Sequence, residues 1–346
     1  MFKKVNFLLV ILAVFLILSA CSDKAEKTGG TAKSKQIEAK IESAQYIKSS
    51  RTEEEDQDAI AVKINVKNLL DSEIRLSPYD GIKLYDGDQQ IGTETDLYDS
   101  KVGLEMDSGG SIGGGKSKTI LAVFEVEKDK KYEIGLNPSI IGEDVKEVML
   151  ELDTAKYAES YETLDDPAKA FAAYVDQIYY EKENSDYEKL VTADKPVLQE
   201  AAKKTFRDTI KDSISGEISD EQMEKMYLSY RNMLAEKAKV DVKTIGYAND
   251  KAVVSVNITT IPLRDTYSII NDYEREYSED TGSFDRQEKT EYIISKFDEI
   301  LSSIELKTSE NKIEIPITKK DGKWVIKSVD KYGEKLDDIF IKGAVY

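Results

Sequence analysis

The chain has 346 residues, with 34% charged and 40% hydrophobic side chains, a globular balance long enough for about two domains. Its formal net charge of −18 opposes binding to nucleic acid and other polyanions, and to anionic lipid head groups through a basic patch. With no histidine and one cysteine, it cannot hold a Ser-His-Asp or Cys-His site, a histidine-ligated zinc or an internal disulfide.

Lys3 and Lys4 give a positive start, and Phe7 to Leu18 is an unbroken apolar run. That run suits a signal-peptide core and falls short of the ~20 residues that span a bilayer as a helix. It ends in Leu18-Ser19-Ala20-Cys21, which resembles the lipobox of bacterial lipoproteins. The resemblance implies cleavage of residues 1–20 and a diacylglycerol on Cys21. Two acyl chains anchor stably, at ~0.8 kcal/mol per buried methylene, where one is marginal. Loss of Lys3 and Lys4 leaves 47 basic and 67 acidic residues, a net charge of −20. Residues 21–35 are rich in Ser, Lys, Gly, Thr and Ala, have no apolar period, and read as a flexible tether.

Residues 36–154 read as strands. Ile37, Ala39 and Ile41 alternate with Glu38, Lys40 and Glu42. Ile60, Val62, Ile64 and Val66 alternate with Ala61, Lys63, Asn65 and Lys67. Ile120, Ala122, Phe124 and Val126 share one face, as do Val148, Leu150 and Leu152. Period-two alternation between turn residues predicts half-buried antiparallel strands, and several such strands predict a β-sandwich. Residues 155–165 read as a polar linker that few contacts cross.

Residues 166–346 change period. Asp166-Pro167 opens a helix carrying Ala170, Phe171, Tyr174, Val175 and Ile178. Pro196 opens another, with Leu198, Ala201, Ala202 and Thr205 on one face. Ser219 and Gln222 have capping-box spacing before Met223, Met226, Tyr227, Tyr230 and Leu234. Strands around Asn249-Asp250 form a hairpin, with Val240 and Val242 before the turn and Ala252 to Ile258 after it. Leu263 to Tyr277 is helical, and Asp285 caps a helix through Ile293, Phe297, Ile300 and Leu301. Ile313, Ile315 and Ile317, the turn Asp321-Gly322, and Trp324 with Ile326 form the last hairpin. Helices followed by paired hairpins predict an α+β domain of helices on an antiparallel sheet.

Gly115-Lys-Ser-Lys-Thr-Ile-Leu-Ala-Val-Phe124-Glu-Val-Glu resembles the strand of the telokin-like, immunoglobulin-like domain common in Firmicute lipoproteins. The region from Asp166 onward resembles a domain of unknown function that often follows it. Its ending, Lys319-Lys-Asp-Gly-Lys-Trp324-Val-Ile, is similar to the final hairpin of NTF2-like and cystatin-like folds. The resemblance implies an architecture and a place on the outer face of the cytoplasmic membrane. It supplies no catalytic residues.

Other motifs read as structure. Gly110-Ser-Ile-Gly-Gly-Gly115-Lys116-Ser117 fits the P-loop pattern, yet a loop precedes it and a β-branched run follows where a P-loop opens a helix. Asp86, Asp88 and Gln90 begin like a calcium loop, but Ile91 and Leu97 stand where glycine and a bidentate glutamate belong. Asn257-Ile258-Thr259 is a strand sequence, and the acidic run Glu53 to Asp58 is a solvated loop. Among the tyrosines of the second domain (Tyr174, Tyr227, Tyr230, Tyr267, Tyr273, Tyr292), Tyr227 and Tyr230 share a helix face. They either pack helices on the sheet or line an aromatic pocket. These readings predict a lipid-anchored, non-enzymatic binding or scaffold module for a protein or cell-envelope partner, with no cofactor, metal, nucleotide or nucleic acid. A small-molecule receptor using the tyrosine pocket is the alternative.

Overall fold

The computed structural model describes residues 30–51, 58–107, 110–140, 146–329 and 331–343. The first part runs through β1 (Thr31–Lys33), β2 (Ile37–Ile47), β3 (Ala59–Asn68), β4 (Ile74–Arg75), β5 (Ile82–Asp86), β6 (Gln89–Ile91), β7 (Ser111–Ile112), β8 (Ser117–Glu125), β9 (Lys131–Leu136) and β10 (Val148–Asp153). Two antiparallel sheets form, ordered β1-β2-β3-β8 and β10-β9-β5-β6, with a short β4-β7 pair. Their inward residues, among them Ile37, Val62, Ile64, Phe124, Ile134 and Leu150, share one buried core. Burial of each such side chain contributes roughly 1.5–3 kcal/mol relative to exposure.

The expected tether ends earlier than its composition suggests. Thr31–Lys33 pairs with Lys40–Glu38 of β2, so residues 31–33 belong to the sheet. Backbone pairing overrides a composition that lacks any apolar period.

The second part contains α1 (Ala158–Glu162), α2 (Asp166–Ile178), α3 (Tyr187–Leu190), α4 (Lys195–Ser213) and α5 (Asp220–Lys237). The hairpin β11 (Lys239–Ala248) and β12 (Lys251–Thr260) follows, then α6 (Thr266–Thr281), α7 (Arg286–Ser295), α8 (Phe297–Ser303) and β13 (Lys307–Thr308). The described chain closes with β14 (Ile313–Lys320), β15 (Lys323–Ile326) and α9 (Leu336–Phe340). The sheet is ordered β11-β12-β14-β15, with β13 beside β12. Helices therefore pack on an antiparallel sheet, as the change of period predicts.

Several boundaries follow their caps. The side chain of Ser219 accepts from the Gln222 N–H while Gln222 reaches back, the full capping box. Asp194 accepts from Val197 N–H and starts α4. Asp165, not Asp166, is the N-cap of α2, and it makes no side-chain cap bond. The helix expected from Asp285 to Leu301 is broken at Lys296 into α7 and α8.

Residues 155–165 are not an open linker. They turn through a 3₁₀ segment, Thr154–Tyr157, into α1, which packs on β2. Tyr46 N–H donates to Ser160 Oγ at 2.9 Å, and the Tyr46 and Tyr161 rings meet edge to face at 5.1 Å. Lys48 Nζ lies 2.7 Å from Asp165 Oδ1. The polar composition hides a docked helix because its partners lie more than a hundred residues away.

The two parts are joined at a second seam. Lys48 and Tyr247 form an antiparallel bridge, continuing β2 onto the edge of β11. Beside it, the turn Ser100–Val102 rests on β11 and β12. Ile47, Ala59, Ala61, Leu97, Tyr98, Val102, Leu104 and Val123 of the first part bury themselves with Ala248 and Val253 of the second. Asp99 is 2% exposed. It accepts from Ser50 N–H at 2.9 Å, Ser50 Oγ at 2.6 Å and Lys101 N–H at 3.0 Å.

Candidate functional site

Tyr227 and Tyr230 sit on the buried face of α5. Phe206 of α4 lies between them, 5.4 Å from the Tyr227 ring and 5.1 Å from that of Tyr230. The Tyr230 hydroxyl donates to the Ile341 carbonyl at 2.6 Å. The Tyr227 hydroxyl is buried with no partner. Burial pushes the Tyr227 phenol up to about 12 and that of Tyr230 well above its ordinary value. Phenols held neutral in this way cannot act as bases near neutral pH. The pair is packing, and the expected tyrosine-lined pocket is not built from it. Tyr267 is 56% exposed, outside this core.

A second aromatic group surrounds α9. The Phe340 ring stacks on Tyr179 at 4.6 Å, and Tyr174 meets Tyr179 at 6.2 Å. The Tyr179 hydroxyl donates to Asp337 Oδ1 at 3.0 Å. Burial raises the Asp337 carboxyl above its ordinary value, against the lowering effect of that hydrogen bond. The Leu336, Ile339 and Phe340 spacing signals a buried helix face, and half-buried Asp337 flanks that face, where it meets the Tyr179 hydroxyl.

An open, shallow concavity lies elsewhere, in the turn between α3 and α4 and beside β15. A cleft of 670 Å³ is lined by Tyr187, Glu188, Val191 to Pro196 and Lys323. Val191 makes a parallel bridge to Trp324, and Thr192 N–H donates to the Trp324 carbonyl at 2.9 Å, which fixes the floor to the sheet edge. Trp324 is fully buried and meets Tyr247 at 5.6 Å. Lys195 Nζ donates to Gln177 Oε1, and Lys323 Nζ to the Glu188 carbonyl. Neither Lys195, Lys323, Glu188 nor Asp194 forms a salt bridge among the described residues. Sequence reasoning missed this site, because its charges look like ordinary solvated loop residues. The turn-forming Ala193-Asp194-Lys195-Pro196 was the available signal.

Cys21 and the lipobox residues Leu18, Ser19 and Ala20 lie outside the described residues, as do residues 53–57 of the acidic run. Gly110 to Ser117 joins β7 to β8 as a strand–turn–strand connection. Within the β5-β6 hairpin Asp86 stands opposite Gln89, and Gln90 opposite Tyr85. Asn257 lies in β12 and accepts from Ser309 Oγ at 2.8 Å. No described helix is long and apolar enough to cross a membrane.

Residues 157–341 match the family described as a domain of unknown function, DUF5105, and residues 26–147 match another so described, DUF4352. The uncharacterized lipoprotein YcdA of Bacillus subtilis (strain 168) is 26% identical over 359 aligned positions, covering 98% of this chain and 99% of the relative. The crystal structure of YcdA superposes with a TM-score of 0.68 at 22% identity, over 91% of this chain and 99% of that one, and so shares the fold. A structure from Staphylococcus aureus, also described as a lipoprotein, aligns over 38% of this chain and 92% of its own, at 20% identity and a TM-score of 0.26.

Proposed function

The chain belongs to the DUF5105 family, whose match spans more than half its length, and from that premise we propose that it is a lipid-anchored surface lipoprotein. The observation that carries this reading is Leu18-Ser19-Ala20-Cys21 at the end of the apolar run, with Cys21 the only cysteine. The lipoprotein relative YcdA, aligned over nearly the whole of both chains, supports it. On this reading residues 1–20 are removed and Cys21 carries the lipid. The folded parts then stand on the outer face of the cytoplasmic membrane.

The first part serves as an immunoglobulin-like spacer, and the second as an NTF2-like or cystatin-like module that binds a protein or cell-envelope partner without catalysis. The lack of histidine and the net charge of −18 support a non-enzymatic module that avoids nucleic acid and nucleotides. The open cleft between α3 and α4 favours a second reading, a small-molecule receptor, over the tyrosine pocket.

Mass spectrometry of the mature N-terminus tests the anchor. The expected result is a chain starting at diacylated Cys21, and release or non-processing of Cys21→Ser. An unmodified Cys21, or a start elsewhere, overturns it.

A further inference from the structure

We propose that the open half of the β1-β2-β3-β8 sheet rests against the anionic phosphate headgroups of the bilayer that carries Cys21. The proposal rests on the lipid-anchor reading and adds which face of the folded chain meets the membrane. The outward positions of this sheet fall into two halves. Ile47, Ala59 and Ala61 are covered at the seam with the second part. At the far end, Lys33, Glu38, Lys40, Lys63 and Lys67 alternate with the core positions Ile37, Ala39, Ile64 and Val66 and stand on the outer face. Exposed Glu42, at the bulge of β2, completes the set. Four lysines against two glutamates give this half-face a positive excess in a chain whose net charge is −18.

The glutamates are committed and three of the lysines are not. Glu38 Oε2 lies 3.4 Å from Lys33 Nζ, and Glu42 Oε2 accepts from Thr119 Oγ1 at 3.0 Å. The ammonium groups of Lys40, Lys63 and Lys67 form no ion pair or hydrogen bond with another described residue. The strand register fixes how close they stand. Lys63 and Lys67 flank Asn65 on β3, roughly 7 Å away on either side along the strand. Lys40 pairs with Asn65 and is diagonal to Lys67 at roughly 7–8 Å. Like charges so placed add nothing to the stability of the sheet itself. They complement a surface whose own charges are phosphates.

The tether delivers the sheet to that surface. Thr31 pairs directly with Lys40, and the Gly30 carbonyl accepts from the Ile41 N–H at 3.3 Å, so the chain from Cys21 joins the sheet beside the lysines. Residues 22–30 span at most about 30 Å, which keeps the half-face within reach of the headgroups. A tether of that length holds a weak contact at an effective concentration on the order of millimolar. Each lysine at an anionic surface favours contact by about fivefold. The acidic remainder of the chain opposes this little, because charges more than about 8 Å from the headgroups are largely screened at physiological salt.

The mature chain 21–346 has one thiol, so Cys21 can be joined chemically to a maleimide lipid in vesicles. The result is then independent of whether a cell acylates Cys21. Phosphatidylcholine vesicles with and without phosphatidylglycerol are compared, and lysine acylation by an amine-reactive reagent is followed residue by residue with mass spectrometry. Exposed Lys211 and Lys312 of the second part serve as internal references. Phosphatidylglycerol should slow acylation of Lys40, Lys63 and Lys67 at least about fivefold relative to the references, and high salt should remove the protection. In the variant combining Lys40→Gln, Lys63→Gln and Lys67→Gln, at unchanged thermal midpoint, neighbouring Lys33 should react at the same rate on both vesicle types. Equal reactivity of the wild-type lysines on both vesicle types overturns the proposal. Protection already complete on phosphatidylcholine marks steric crowding by the bilayer and also overturns it. Protection of the untethered chain by inorganic polyphosphate, without protection on vesicles, reassigns the face to a soluble polyanion and removes the membrane contact.

Discussion

Lys48 and Tyr247 exchange two backbone hydrogen bonds, Lys48 N–H to the Tyr247 carbonyl at 3.0 Å and Tyr247 N–H to the Lys48 carbonyl at 2.8 Å. This bridge links β2 of the first part to the edge of β11, and the apolar seam holding Ala248 and Val253 lies beside it. A fragment starting near residue 160 has its own helices and hairpins but loses this bridge and uncovers both side chains. The fragment should melt below the full chain, by several degrees if about 1 kcal/mol or more is lost. Equal thermal midpoints for fragment 160–346 and chain 22–346 would show the seam to be energetically idle.

Asp99 offers a finer probe of the same seam. Asp99→Ala leaves the Ser50 N–H and hydroxyl and the Lys101 N–H without their acceptor, which should cost about 1–3 kcal/mol. Gly246 approaches from the other side: a Cβ there would stand 3.2 Å from Val102 Cγ1 and 3.5 Å from Asp99 Oδ2. Gly246→Leu should therefore pry the seam apart and make the segment 155–165 a preferred protease site. Digestion patterns identical to wild type would reject that role.

Much of this architecture is legible in the residues. The strict alternation of Val62, Lys63, Ile64 and Val66 places β3, and Ser219 with Gln222 places the start of α5. Asn249, Asp321 and Gly322 mark both hairpin turns, and all three adopt positive φ. The seam is not legible. Ala61 alternates outward from the first core and should face water, yet it is 4% exposed because distant residues cover it. A local period records which face is apolar, not what arrives on the other face. The cleft was hidden for a related reason: an unpaired charge is visible only once its possible partners have been placed.

The glycine-rich connection separates a structural role from a nucleotide-binding one. A Cβ on Gly114 would lie 2.2 Å from the Asp71 carbonyl oxygen, so Gly114→Ala must displace backbone and should destabilise by about 1–3 kcal/mol. Lys116 is exposed, and Lys116→Ala should change stability by less than about 0.5 kcal/mol. Denaturant melts of both variants, with calorimetric titration of ATP, check this. Saturable ATP binding lost in Lys116→Ala would restore the P-loop.

The tyrosines of α5 should respond unequally to the same change. Tyr230→Phe removes the hydroxyl that donates to the Ile341 carbonyl and should cost about 1 kcal/mol. Tyr227→Phe removes a buried hydroxyl with no partner and should be neutral or stabilising. Trp324→Ala, at a fully buried position, should cost about 3–5 kcal/mol. Equal losses for the two phenylalanine variants would contradict the packing described for the pair.

Acid should act on the seam through Glu314. Its Oε2 lies 2.9 Å from Lys101 Nζ of the first part, and its Oε1 2.9 Å from Lys331 Nζ of the second. Partial burial raises its carboxyl, but the two ammonium groups prevail and hold it below its ordinary value. A carboxylate depressed in the folded state contributes stability above its unfolded value, about 4.3, and that contribution is lost as pH falls through the folded one. Asp337 has the opposite sign. Its value is raised by burial, so its favourable contribution is complete below the unfolded value, about 3.9, and fades as pH rises through the folded one. Glu314→Gln should thus flatten the acid side of the stability profile, leaving the variant less stable than wild type at pH 7 by about 1 kcal/mol or less. Asp337→Asn should instead narrow its deficit, or gain on wild type, as pH rises from about 4 to 7. Denaturant midpoints across that range decide both: parallel profiles for wild type and Glu314→Gln would remove the triad of Lys101, Glu314 and Lys331 as a source of the acid sensitivity.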